Sequence, residues 1–169
     1  ATIDAANGTG TDIVIDTTAG SVSVAGLLSI RTGVPESSNS VTGGNVSLLA
    51  STGNSITAGG MDITTTANSG DGGTGTAGDV TITAQGVGAT IDVGGILGVQ
   101  ASGAGGSATS GGDGGNGIGG KIVVSALSGG TVEVGGLDLR ASGFGGTSIS
   151  GNGGNGVAGE ILLNANGMD

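Results

Sequence analysis

One short phrase recurs five times along the chain: DIVID from Asp12, NVSLLA from Asn45, DVTITA from Asp79, KIVVSA from Lys121 and EILLNA from Glu160. Successive copies begin 33 to 42 residues apart. Four of them lead through a turn into a second alternating run, namely SVSVAG (21–26), SITAGG (55–60), ATIDVGG (89–95) and TVEVGG (131–136). A third run follows each of these (LLSIR, MDITT, ILGVQ, LDLR), and then a Gly-rich stretch leads to the next copy.

Every run is short, alternates apolar with polar residues, is rich in Val, Ile and Thr and is bounded by Gly, the pattern of a half-buried strand. A unit of three such runs cannot bury its own apolar face, whereas stacked copies can. Stacking aligns Ile13, Val46, Val80, Ile122 and Ile161 in one inward column, and Ile15, Leu48, Ile82, Val124 and Leu163 in the next. Val24, Ala58, Val93 and Val134 continue the pattern on the second face, and Ile30, Ile63, Val99 and Leu139 on the third. The expected fold is all-β, a parallel β-helix (β-solenoid) with three strands per coil and long Gly-rich loops on one edge. The small pairs Ala25-Gly26, Gly59-Gly60, Gly94-Gly95 and Gly135-Gly136 read as its corners, where the backbone needs positive φ or close approach.

Composition agrees with a core built from layers of aliphatic side chains. The 169 residues include 43 Gly, one Pro, one aromatic (Phe144), and no Cys, His or Trp. Neither an aromatic core nor a disulfide framework is available. Three basic residues against 13 acidic ones give a net charge of −10, which opposes nucleic acid and anionic lipid as partners. No apolar run approaches the roughly 18 residues of a membrane-spanning helix, so no membrane insertion is expected.

The joins TGGNVSLLA, TAGDVTITA, IGGKIVVSA and VAGEILLNA resemble the recurrent phrase of filamentous-haemagglutinin-like exoproteins, large bacterial adhesins exported by two-partner secretion and related systems. The likeness spans residues 12–169 and lies in pattern rather than in a diagnostic motif. It implies a right-handed parallel β-helix at the cell surface or in the extracellular matrix, with adhesive or scaffold work. The amino-terminal secretion domain of that family is not in this sequence, and the Gly-rich loops here are longer.

Three groups of residues have the types and spacing of candidate sites. The stretches SGDGGTGTAGD (69–79), SGGDGGNGIGGK (110–121) and SGNGGNGVAGE (150–160) invite comparison with calcium-binding GGxGxD repeats. The carboxylate position is occupied by Ala77, Gly119 and Ala158, so no metal or other cofactor is expected. Asp62 and Asp138 fall at equivalent outward positions near Arg31 and Arg140, the one arrangement that suits a carbohydrate-binding or carbohydrate-processing β-helix. They lie on non-adjacent coils without an aromatic platform, so an enzyme is not expected. Outward positions Val14, Ser47, Thr81, Val123 and Leu162 do not form a Thr row of the ice-binding kind.

The two ends of the sequence complement each other. EILLNANGMD (160–169) followed by ATIDAANGTG (1–10) aligns without a gap on DVTITAQGVG-ATIDVGG (79–95), placing Ala1 on Ala89 and Ile3 on Ile91. This alignment treats residues 1–169 as one solenoid segment, with coils starting near 12, 45, 79, 121 and 160, the last completed by residues 1–11 of a following copy. The expected self-assembly junction is Ala1, Ile3, Ile161, Leu163 and Asp169, and the expected partner is the chain itself, head to tail, with divalent cations between fibres. The function that follows is a structural extracellular fibre or adhesin segment.

Overall fold

The structure is a computed structural model in which residues 1–5, 10–37 and 40–166 are described; over these the chain is a parallel β-solenoid of about four turns, without helix. A front sheet runs in the order β18 (Ile161–Asn166), β14 (Ile122–Leu127), β10 (Val80–Gln85), β6 (Val46–Ser51), β2 (Ile13–Asp16). A long-strand sheet opposes it, in the order β1 (Thr2–Asp4), β3 (Val22–Arg31), β7 (Ser55–Thr64), β11 (Thr90–Gln100), β15 (Thr131–Arg140). Two narrow sheets form a flange on one edge. One contains β4 (Val34–Ser37), β8 (Ala67–Ser69), β12 (Gly103–Ala104) and β16 (Gly143–Phe144). The other contains β5 (Val41–Thr42), β9 (Gly75–Thr76), β13 (Gly117–Ile118) and β17 (Gly156–Val157).

Alternation along each run decides which face is buried. On the front sheet Val46, Leu48 and Ala50 point inward and stack on Val80, Ile82 and Ala84, then on Ile122, Val124 and Ala126. They meet Ile56, Met61, Ile63, Ile91, Leu97 and Val99 from the long-strand sheet in one core. Because identical registers repeat, each layer of aliphatic side chains sits on a layer of the same shape, and Leu48, Ile82, Ile91 and Ile122 are fully buried. The outward columns of the front sheet are Val14, Ser47, Thr81, Val123 and Leu162, and beside it Asp16, Leu49, Thr83, Ser125 and Asn164.

The small pairs do not separate two strands. Strand pairing skips residues at each pair and resumes beyond it with a register shift, so that the second and third runs of each coil form one strand of 10 or 11 residues. Close approach rather than positive φ is what the glycines allow here. A Cβ on Gly59 would lie 2.7 Å from the Ala25 carbonyl oxygen, and one on Gly95 2.6 Å from that of Gly59. Positive φ is used instead at the turn between front and long strands, as at Gly53 (73°) and Gly86 (98°).

The Gly-rich stretches are ordered by direct backbone packing. Their amides form a zigzag between the two flange sides: Gly106 donates to Gly73, Gly115 to Gly106, Gly146 to Gly115 and Gly154 to Gly146, each at 2.8 or 2.9 Å. A Cβ at Gly103 or Gly117 would collide with a backbone carbonyl of the facing strand, and one at Gly115 or Gly154 with the carbonyl of Gly73 or Gly115 in the preceding coil. The flange neck is tied by Thr32 Oγ1 to the Gly44 carbonyl (2.6 Å) and Thr65 Oγ1 to that of Gly78 (2.7 Å). In the next two coils Ala101 and Ala141 take the equivalent place, and amides of Gly120 and Gly159 make the tie to their carbonyls.

Candidate functional site

The front and long-strand sheets end together in an incompletely covered apolar layer. Ile161 and Leu163 continue the columns of Ile122 and Val124, which are 0% and 8% exposed, yet they are themselves 42% and 60% exposed. With Val132, Val134 and Leu137, Leu163 borders an apolar recess of about 230 Å³. Chemically, this end offers aliphatic side chains beside strand edges, so it is suited to receive another in-register coil.

Ala1 and Ile3 lie at the opposite end. The Ala1 amino group donates to the Leu27 carbonyl (2.9 Å), and the Ser29 amide donates to the Ala1 carbonyl (2.9 Å). Asp169, the fifth residue of the expected junction, lies outside the described residues. Within one chain the structure therefore brings Ile161 and Leu163 together, and Ala1 and Ile3 together, at different ends.

The register of β1 sets Ile3 in a different column from the one the end-to-end alignment assigns. Ile3 pairs with Ile30, in the column of Ile63, Val99 and Leu139, and not in the column of Ile91. Thr2 thereby lines up with Gly98, eight residues beyond Thr90. Alternation alone accommodates Ile3 in either column. The observed one also sets Asp4 opposite Arg31, whereas the other would set it in line with Asp92.

A second set of residues, the first of each recurring phrase, has a role that the strand pattern did not disclose. Asp12 Oδ1 accepts the Asn45 amide (2.7 Å), Asn45 Oδ1 accepts the Asp79 amide (2.8 Å) and Asp79 Oδ1 accepts the Lys121 amide (2.7 Å). Lys121 has no acceptor to continue the ladder, and its Nζ instead pairs with Glu160 Oε2 at 3.0 Å. Each short polar side chain thus satisfies the amide of the following coil where strand pairing begins. The recurrence of Asp or Asn at three of these five positions was the available signal.

The flange carboxylates do the same. Asp71 Oδ1 accepts the Thr109 amide (2.9 Å) and Oδ2 accepts the Ser110 hydroxyl (2.8 Å), which together hold its pKa below the ordinary value of 3.8. Asp113 Oδ1 accepts the Asn152 amide (2.7 Å), and Asn116 Oδ1 that of Asn155 (2.8 Å).

Asp62 and Asp138 flank Gly98 in one outward column, bordering a polar recess of about 80 Å³ with Gln100 and Arg140. Arg140 grips Asp138 through both oxygens (3.0 and 2.8 Å), so that carboxylate is already engaged. The two carboxylates are two strand spacings apart, about 9.6 Å between backbones.

No family model, no curated protein and no solved structure matches the chain.

Proposed function

We propose that the chain is a structural segment of an extracellular β-solenoid fibre of the adhesin type, working as a scaffold at the cell surface or in the matrix. The observation that carries this reading is the repeated parallel register: core columns, corner ladder and flange zigzag all run from coil to coil along one direction. Every coil is the template for the next, so length is the property that such a molecule can extend. The apolar layer at Ile161 and Leu163 is completed by a further coil, supplied by a continuing chain or by another copy stacked head to tail. The net charge of −10 keeps such fibres apart at low salt and makes divalent cations their natural bridges.

Electron microscopy of the purified chain over a range of concentrations tests self-stacking. Unbranched filaments with axial growth support it, and a chain that stays at 15.3 kDa at every concentration overturns it. A second reading, carbohydrate binding, rests on the recess between Asp62 and Asp138. Calorimetric titration with acidic and neutral oligosaccharides, compared between the native chain and Asp62→Asn, decides whether that recess binds sugar.

A further inference from the structure

The charges of this chain are distributed unevenly over its surface. Asp92 and Glu133 stand side by side on the outer face of the long-strand sheet, which also carries Asp62, Asp138, Arg31 and Arg140. Asp71 and Asp113 occupy the flange, and Asp12, Asp79, Lys121 and Glu160 line one corner. The outer face of the front sheet is different. From Ser47 to Asn164 its two outward columns contain only Ser, Thr, Val, Leu and Asn, and the single charge on them is Asp16 in the first strand.

We infer that this face is a lateral docking surface for a second copy of the same chain, front sheet against front sheet. Charge selects the occupant. A copy approaching through the long-strand sheet would bring Asp92 and Glu133 against like charges, whereas front sheets can meet at the usual spacing of about 10 Å with no described carboxylate except Asp16 between them. The face is partly apolar, with Val14 69% exposed and Leu49, Val123 and Leu162 along it. A two-fold axis along the solenoid also turns the acidic corner of each copy towards the uncharged edge at Ser51, Gln85 and Leu127 of the other.

Size sets the strength. Five strands at about 4.8 Å spacing, each exposing about 15 Å of length, give a patch of about 360 Å² per copy, in the range of weak contacts. One segment pairs transiently, and a row of segments in a fibre pairs strongly because the contacts act together. The inference does not depend on end-to-end stacking.

The test isolates the face from the ends. In a chain carrying Ile161→Lys and Leu163→Lys, sedimentation equilibrium at rising concentration should show a weak monomer–dimer equilibrium that tightens with added sodium chloride. Thr81→Glu with Val123→Glu on that background should weaken dimerisation at least about tenfold, because like charges then face each other across a dry contact. Thr57→Glu, on the long-strand sheet, should leave it unchanged. Circular dichroism of each variant confirms the fold. A chain that stays monomeric at all concentrations and salts overturns the inference, as does dimerisation indifferent to Thr81→Glu and Val123→Glu.

Discussion

The carboxylate of Asp79 accepts the backbone amide of Lys121 at 2.7 Å, across a coil boundary and 42 residues of sequence. The Asp79 amide is in turn accepted by Asn45, so the corner is a chain of amides each satisfied from the preceding coil. Parallel pairing leaves the first amide of a strand without a partner unless a side chain supplies one, and a short acceptor fits the spacing of one strand.

Replacing Asp79 with Ala removes that acceptor and should cost about 0.5–1.5 kcal/mol. Replacing it with Asn should be nearly neutral, because Asn45 already performs the same task one coil away. Urea unfolding of the two variants measures the difference. Equal losses in both would mean that the carboxylate charge, and not the hydrogen bond, is what matters.

The flange rests on the absence of side chains. Gly115 donates to the Gly106 carbonyl, accepts from the Gly146 amide, and has no room for a methyl group against Gly73. Gly115→Ala should therefore open the flange locally at a cost of about 1–3 kcal/mol, seen as faster hydrogen exchange at the Gly106 and Gly146 amides with the Ile82 region still protected. Gly153 offers the control, since its nearest obstacle is the Gly146 carbonyl oxygen at an ordinary 3.6 Å. Gly153→Ala should leave exchange unchanged.

These cases show which parts of the fold were legible in the sequence. The columns through Leu48, Ile82 and Val124 were readable because alternation fixes the face and recurrence fixes the register. The Gly pairs were readable as bends, but not as points where one strand continues, since a bulge and a corner use the same residues. Two-residue strands such as β12 and β13 carry no alternation at all. Their pairing is set by backbone contact, which composition cannot rank. Ile3 shows the same limit at the candidate junction. Its three-residue strand fits two columns equally by hydrophobicity, and only the three-dimensional placement of Asp4 beside Arg31 separates them.

Asp71 gives the flange a pH dependence of definite sign. The hydrogen bonds from Thr109 and Ser110 favour its carboxylate and lower its pKa from 3.8. A group whose pKa is depressed on folding contributes its full stabilisation above its unfolded value and loses it as pH falls through the folded value. Exchange at the Thr109 amide should therefore be slow, relative to its intrinsic rate, at pH 5 and above and should lose protection below about pH 3.8. In Asp71→Ala this step should vanish. A step that persisted there would assign the acid sensitivity to another carboxylate.

The apolar end layer supplies the last prediction. In the isolated chain Ile161 and Leu163 are 42% and 60% exposed, so lysines at these positions can keep their stems on the layer and their ammonium groups in water. Ile161→Lys with Leu163→Lys should for that reason change the unfolding midpoint little, with Ile82 and Ile122 still buried beneath. Covering the layer with another coil would instead drive both charges into an apolar contact without partners, and that cost falls only on the covered state. Filament growth of the native chain should thus be abolished in the double variant while circular dichroism stays that of a folded solenoid. Leu163→Ile, which keeps the layer apolar, should grow like the native chain. Growth of the lysine variant at the native rate would mean that this layer is not where copies join.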